Sequence, residues 1–171
     1  MGGLFYQTEA YHIVDYELWR LPGSDEYFRG PQMSFRPQNY VAFVGAAQTF
    51  GAFCRYPFVN LVAERTGHAV VNLGIGGAGP NRFLEDPTLM GVINSARLVV
   101  VQVMSGRSVG NGRYENLRGT SSLRPRGNKN APWVWAEAVW GEGGGGNFSG
   151  ATAAAAPVGG GPLLNPFATF I

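Results

Sequence analysis

A glycine-rich stretch, NLGIGGAGPN at residues 72–81, has residue types and a spacing that could hold a phosphate group. Gly74, Gly76 and Gly79 form a literal G-x-G-x-x-G, and the apolar run 69–73 precedes them. Such a loop binds a nucleotide when it leads directly into a helix, whose free N–H groups then face the phosphates. The spacing therefore raises one hypothesis, nucleotide binding through residues 74–79.

The residues that follow the loop weaken this hypothesis. Pro80-Asn81-Arg82 comes next, and Asp86-Pro87 gives a stronger helix start further on. The segment 98–108, where the next strand should end, has no Asp or Glu to bind a ribose hydroxyl. Because the chain contains 26 Gly, a purely structural turn is the favoured interpretation.

Polar side chains follow the other two predicted strand ends and could line a ligand pocket. They are Gln48, Thr49, Ser105, Arg107 and Ser108. Arg107 could bind a carboxylate or a sulfate with two parallel hydrogen bonds. Ser105 could donate a hydrogen bond, although no base is visible to activate it as a nucleophile. The alternative is that these side chains satisfy backbone groups of their own loops.

The elements that would position these residues alternate along the chain. Apolar runs predict strands at 40–45, 68–74 and 97–104, and helical spacing predicts helices at 51–67 and 86–96. Asp86 is the expected N-cap of the second helix, and Gly67 the expected stop of the first. The order β-α-β-α-β predicts a parallel sheet, with any ligand site beyond the carboxyl ends of its strands.

Two of the strand-end loops resemble motifs of the SGNH/GDSL hydrolase superfamily. FVGAAQTFG at 43–51 is similar to its opening block, with Gly45, Thr49 and Gly51 in register. VVNLGIGGAG at 70–79 resembles its second block, with Gly74 where the superfamily places an oxyanion-hole N–H. The resemblance implies a three-layer α/β fold with an SGNH-like parallel sheet, in the flavodoxin-like order 2-1-3 for the strands present.

The chemistry of the superfamily does not carry over. Its Asp-Ser pair is replaced by Ala46-Ala47, so Ala47 stands at the nucleophile position without a nucleophile. The sequence MSGRS at 104–108 lacks the Asn of the third block, and His12 and His68 lie too early for the Asp-x-x-His block. The resemblance therefore implies a degenerate, non-hydrolytic domain that binds a small, anionic ligand or a partner. The alternative is an esterase or transferase that uses a non-standard residue such as Ser105.

A closer resemblance covers residues 10–118. The runs YVAFVGAAQTFG, AERTG and ARLVVVQVMSGRS look like an uncharacterised bacterial family whose domain has no known function. This resemblance supports the fold and implies no activity. Its pattern fades after NGRYENLRG at 111–119, where the composition also changes.

Three regions follow from these patterns. We expect an aromatic-rich N-terminal arm at 1–39, an SGNH-like core at 40–118, and a Gly/Ala-rich tail at 119–171 that is disordered or out of frame, which leaves the domain incomplete. Six basic residues between 107 and 129 could form a phosphate- or RNA-binding patch, but a solvated loop is the favoured interpretation. They are Arg107, Arg113, Arg118, Arg124, Arg126 and Lys129.

Composition sets the remaining expectations. The net charge of +2 gives little reason to expect a nucleic acid partner. No apolar run reaches the ~20 residues of a membrane span, and no signal peptide is recognised, so a cytoplasmic protein is expected. Cys54 is the single cysteine. No cofactor and no metal are predicted.

Overall fold

The fold is taken from a computed structural model, which describes residues 14–32, 34, 36–135 and 153–157. The strands are β1 Trp19–Arg20, β2 Tyr27–Phe28, β3 Val41–Gly45, β4 Val70–Gly74, β5 Leu98–Gln102, β6 Tyr114–Asn116, β7 Ser122–Pro125, β8 Val134–Trp135 and β9 Ala153–Pro157. The helices are α1 Ala47–Phe50, α2 Phe58–Thr66, α3 Pro80–Leu84 and α4 Pro87–Asn94, with a 3₁₀ turn at Gly106–Ser108.

The central sheet has the strand order β4-β3-β5-β9. Strands β3, β4 and β5 are parallel, and β9 adds to β5 in the antiparallel direction. The predicted parallel sheet and its order 2-1-3 are therefore confirmed. The register places Gly45 opposite Gly74, so the first two strands end side by side.

Helices cover both faces of this sheet. On one face, Leu89 and Ile93 of α4 belong to the same buried cluster as Val44 of β3. On the other face, Val59 of α2 packs with Phe43. Both faces of the parallel strands are apolar because both are buried. The chain is thus a mixed α/β protein, as its alternating pattern predicted.

The helix predicted at 51–67 begins later than expected. The helical turn α1 ends at Gly51, which is left-handed with φ 78°, and Phe53 is also left-handed with φ 63°. These two conformations interrupt any helix before α2 begins at Phe58. The predicted stop is confirmed, because Gly67 ends α2 with φ 67°.

The cap of the last helix is also confirmed. The side chain of Asp86 accepts hydrogen bonds from the N–H groups of Thr88 and Leu89, and Pro87 occupies the first turn of α4. Pro at this position has no N–H to leave unpaired. The helix therefore begins within one residue of its predicted start.

Part of the N-terminal region packs on the sheet. Trp19 of β1 and Phe28 of β2 are buried in the cluster beneath α4, and their rings lie 5.4 Å apart. Arg82 of α3 links this hairpin to the helices, because it pairs with Glu26 at 2.7 Å and with Asp86 at 3.6 Å. Residues 1–13 of the predicted arm lie outside the described residues.

Residues 119–135, expected in the tail, form part of a second sheet. Strands β6, β7 and β8 are antiparallel, and the expected boundary at 119 falls in the turn between β6 and β7. Leu123 at its centre is completely buried. Ser121 N, just before β7, donates to Gly77 O at 2.9 Å and so joins this region to the loop after β4. Of the remaining tail, only Ala153–Pro157 is described. In the described part of the chain, no helix is long and apolar enough to cross a membrane.

Candidate functional site

The carboxyl ends of β3, β4 and β5 carry most of the residues that the sequence singled out. Helix α1 begins immediately after β3, with Ala46 as its N-cap and Ala47 as its first residue. Both alanines are half-buried. A methyl group therefore lies at the start of α1, and it has no lone pair with which to attack an acyl carbon.

Gln102, at the end of β5, binds two N–H donors at the start of α1. Its Oε1 atom accepts hydrogen bonds from Ala46 N at 3.1 Å, Thr49 N at 3.2 Å and Thr49 Oγ1 at 2.7 Å. The first N–H groups of a helix have no partner within the helix and must find one elsewhere. A side chain from the neighbouring strand supplies that partner here, so these donors are already used.

Asn72 connects β4 to α1. Its Nδ2 atom donates to the carbonyl of Thr49 at 2.8 Å, and its Oδ1 atom accepts from Gly74 N at 2.9 Å. Asn72 is only 5% exposed. The Gly74 N–H, which the resemblance assigns to an oxyanion hole, is thus bound by a buried side chain of its own strand.

Gly74 is required here for space. A Cβ atom at this position would lie 2.1 Å from Phe50 N, so the loop and α1 could not stay in contact. Gly79 is similar, since its Cβ would lie 2.5 Å from Ser108 Cβ. Two glycines of the G-x-G-x-x-G pattern are therefore explained by close packing, which agrees with the structural interpretation of the loop.

The glycine loop does lead into a helix, in contrast to the expectation from Pro80. Gly79 is the N-cap of α3, and Pro80 fits its first turn because that position needs no N–H donor. The loop is nevertheless covered. Gly79 N donates to Gly119 O at 2.7 Å, and Ser121 N donates to Gly77 O at 2.9 Å.

Ser108 and Thr49, two of the predicted pocket residues, are each 1% exposed. The Ser108 hydroxyl lies 2.9 Å from Ser121 Oγ, and its carbonyl accepts from Asn116 Nδ2 at 2.7 Å. Thr49 is held by Gln102 and Asn72. Both side chains join other segments of the chain, Thr49 through Gln102 and Ser108 through Ser121.

Gln48 and Ser105 are the predicted pocket residues that lie exposed. Gln102 Nε2 donates to Gln48 Oε1 at 2.9 Å, which connects Gln48 to the same network. Arg107 belongs to the 3₁₀ turn, and its side chain lies outside what the structure describes. The predicted set is therefore divided between buried structural residues and two exposed polar ones.

A buried arginine holds the segment that follows α1. Arg29 donates to the carbonyls of Cys54 and Arg55 at 3.0 and 2.9 Å, and its guanidinium lies 4.6 Å from the centre of the Tyr16 ring. Burial lowers the pKa of Arg29. The carbonyls of Gly51, Cys54 and Arg55 partly replace the hydration that the Arg29 guanidinium loses on burial. The same hydrogen bonds hold the segment that contains the left-handed residues Gly51 and Phe53.

The strand ends lack the groups that acid–base catalysis requires. The side chains described there are amides, hydroxyls and methyl groups, and none is a general base near neutral pH. Among the described residues, no group of three His, Cys, Asp or Glu side chains could hold a metal ion.

Sequence reasoning did not identify Asn72 and Gln102 as functional positions. The available signal was a single polar residue within each apolar strand, in VVNLG and in LVVVQ. A buried polar side chain needs partners, so each residue indicated a contact that the sequence alone could not specify.

Fold and site together define the class of the protein, an α/β protein with a parallel core whose strand-end donors are bound by its own side chains. The family model for a domain of unknown function, DUF6473, matches residues 4–117, about two thirds of the 171-residue chain. The chain belongs to this family, which confirms the expected membership of an uncharacterised domain family. No curated protein and no solved structure matches it.

Proposed function

We propose that this chain is a non-hydrolytic, SGNH-like domain that works by binding and not by turnover. The observation that carries the proposal is the hydrogen bond from Gly74 N to the buried Asn72 Oδ1. An oxyanion hole needs N–H donors that are open to a developing negative charge. A donor already bound to a side chain of its own strand gives little such stabilisation.

The start of α1 supports the same proposal. Ala47 supplies no nucleophile, and Gln102 Oε1 binds the donors of Ala46 and Thr49. Among the described residues, the strand ends offer no nucleophile at position 47 and no general base, and the N–H donors of Ala46, Thr49 and Gly74 are occupied. Binding needs none of the three.

A small anionic ligand would meet this edge at Gln48 and Ser105. Because Gln102 Oε1 accepts three hydrogen bonds, its Nε2 atom is the one that faces Gln48 Oε1. The amide hydrogens of Gln48 are then its remaining polar atoms. Exposed donors of this kind favour a ligand that bears a carboxylate or another acceptor group.

Hydrolysis of p-nitrophenyl acetate and butyrate tests the absence of turnover. We expect the wild-type chain to release p-nitrophenol at the rate of a buffer blank, and Ser105→Ala to do the same. Turnover by the wild type that disappears in Ser105→Ala would overturn the proposal and establish the esterase alternative.

Thermal unfolding in the presence of anions tests binding at the strand ends. Acetate, sulfate and phosphate are added separately, and we expect at least one to raise Tm because it binds only the folded state. The rise should be lost in Gln48→Ala and kept in Gln32→Ala, which removes another exposed glutamine. A Tm that none of the three anions raises above that of the anion-free protein would contradict the small-ligand part of the proposal.

Thermal unfolding also tests whether the chain binds nucleotides. We expect NAD, NADP and ATP to leave Tm unchanged, because the loop at 74–79 is packed against the 108–121 segment. A rise in Tm with any of them would instead support nucleotide binding through this loop.

A further inference from the structure

Several basic residues were expected to lie on a solvated loop. In the structure they lie on and beside the strands of the second sheet. Residues 107–129 contain six Arg or Lys side chains and one acidic residue, Glu115. Strands β6, β7 and β8 form an antiparallel sheet across this region, which orders the charges along its strands and turns.

The two faces of this sheet differ. Leu123 is completely buried, and its cross-strand neighbours Asn116 and Val134 lie on the same, inner face. Glu115 and Arg124 are directly opposite each other on the outer face, where they form a 2.7 Å ion pair. The Arg124 guanidinium also lies 4.3 Å from the centre of the Trp133 ring. The outer face therefore presents an arginine stacked on an aromatic ring.

Three further basic side chains gather at one end of the sheet, which we call the basic end: Arg113, Arg126 and Lys129. Arg126 N donates to Arg113 O at 2.8 Å, and Arg124 Nη1 donates to Lys129 O at 3.3 Å. All three side chains of the basic end are exposed.

These three charges have no acidic counterpart within the part of the chain that the structure describes. Arg126 donates twice to the carbonyl of Asn111, at 3.0 and 3.1 Å, which positions its guanidinium without neutralising it. Glu115 is already paired with Arg124. The basic end thus keeps about three positive charges at an exposed surface.

We propose that this surface binds single-stranded nucleic acid, with phosphates at the basic end and a base on the Trp133–Arg124 stack. Phosphates attract clustered Arg and Lys regardless of sequence, and unpaired bases stack on aromatic rings and guanidinium planes. An acidic polypeptide would use the charges but has no planar base for Trp133. The combination of charge and aromatic ring therefore favours a nucleic acid.

This inference is independent of the strand-end edge. It uses residues of β6–β8, none of which contributes to the network of Asn72 and Gln102. A negative result in the ester or anion measurements would leave the nucleic-acid proposal standing. A failure to bind nucleic acid would likewise leave the strand-end proposal standing.

Fluorescence anisotropy of a labelled oligothymidylate, titrated with the full chain at several salt concentrations, tests the proposal. With about three phosphates neutralised, log K should fall with log of the salt concentration with a slope of about −2. The double variant Arg113→Gln/Lys129→Gln should reduce the steepness of this slope by about 1.4. Arg65→Gln, which removes an exposed positive charge from α2, is the matched control and should leave the slope unchanged.

Two substitutions of Trp133 test the proposed stacking of a base. Trp133→Ala should weaken binding about fivefold or more without changing the slope, and Trp133→Phe should retain most of the affinity. Absence of binding at low salt, or an equal loss in Arg65→Gln, would overturn the proposal. Poly-glutamate competing as well as the oligonucleotide would also overturn it and would assign the surface to acidic polypeptides.

Discussion

Among single residues, two amides bind the polar groups of the strand ends: the buried Asn72 and the half-buried Gln102. Asn72 binds the N–H of Gly74, and Gln102 binds the donors at the start of α1. Each amide offers both a donor and an acceptor. Gln102 uses both toward the α1 region, whereas Asn72 donates to Thr49 O and accepts from Gly74 N of its own strand. The polar groups of these loops are therefore used to hold the structure together.

Gln102→Leu should lower the free energy of unfolding by about 1–3 kcal/mol. The reason is that the Ala46 and Thr49 donors lose their acceptor in a partly buried place. Urea unfolding measures the change. Gln48→Ala, at an exposed position, should change stability by less than about 0.5 kcal/mol. Equal effects of the two substitutions would show that the Gln102 network contributes little to stability.

Tyr40 should make the protein less stable at high pH. Burial raises the pKa of Tyr40 to about 12 from its ordinary value of 10, and its hydroxyl donates to the carbonyl of Val92. The folded state therefore holds this proton more tightly than the unfolded state. Its contribution is complete below pH 10 and is lost as the pH rises towards 12, by roughly 2–3 kcal/mol.

Urea unfolding between pH 9 and pH 12 follows this loss. Tyr40→Phe should remove the Tyr40 part of the decline, whereas Tyr56→Phe, at an exposed ring, should leave it in place. The same decline in wild type and Tyr40→Phe would mean that other groups cause it.

Among the helices, local sequence signals predicted the start of α4 to within one residue but predicted the start of α2 seven residues too early. Asp86 and Pro87 specify a helix start through a cap and a fitting first residue, and both act within three residues. The start of α2 depends on the left-handed conformations of Gly51 and Phe53. The carbonyls of this segment are held by Arg29, which is more than twenty residues away in sequence. A local pattern cannot show such a contact.

Asp86→Ala should lower the free energy of unfolding by about 1–2 kcal/mol, because the N–H groups of Thr88 and Leu89 lose their cap. Asp86→Asn keeps an acceptor at the cap and should lose less than half of that. Chemical denaturation of both variants gives the comparison. If Asp86→Asn were as unstable as Asp86→Ala, the ion pair with Arg82 and not the cap would be the stabilising contact.

For the whole molecule, the parallel sheet followed from the alternation of strands and helices, and its order 2-1-3 followed from the resemblance of the strand-end loops. The hydrogen-bond network of Asn72 and Gln102 at the edge of this sheet could not be predicted from the sequence. Asn72 reaches Thr49 across 23 residues of sequence and Gln102 reaches it across 53, and both contacts depend on the register that aligns Gly45 with Gly74. The second sheet was also missed, since its strands Tyr114–Asn116, Ser122–Pro125 and Val134–Trp135 are too short to show an apolar pattern.

The central claim is that the strand-end site is closed to hydrolysis by more than the loss of one nucleophile. Ester turnover by Ala47→Ser tests it most directly, because this substitution restores the hydroxyl alone. Gly74 N is still bound by Asn72, and the described strand-end residues include no base, so we expect p-nitrophenyl butyrate hydrolysis equal to that of the wild type. Turnover in Ala47→Ser well above the wild type would contradict it, since the remaining parts of a working hydrolase site would then be in place.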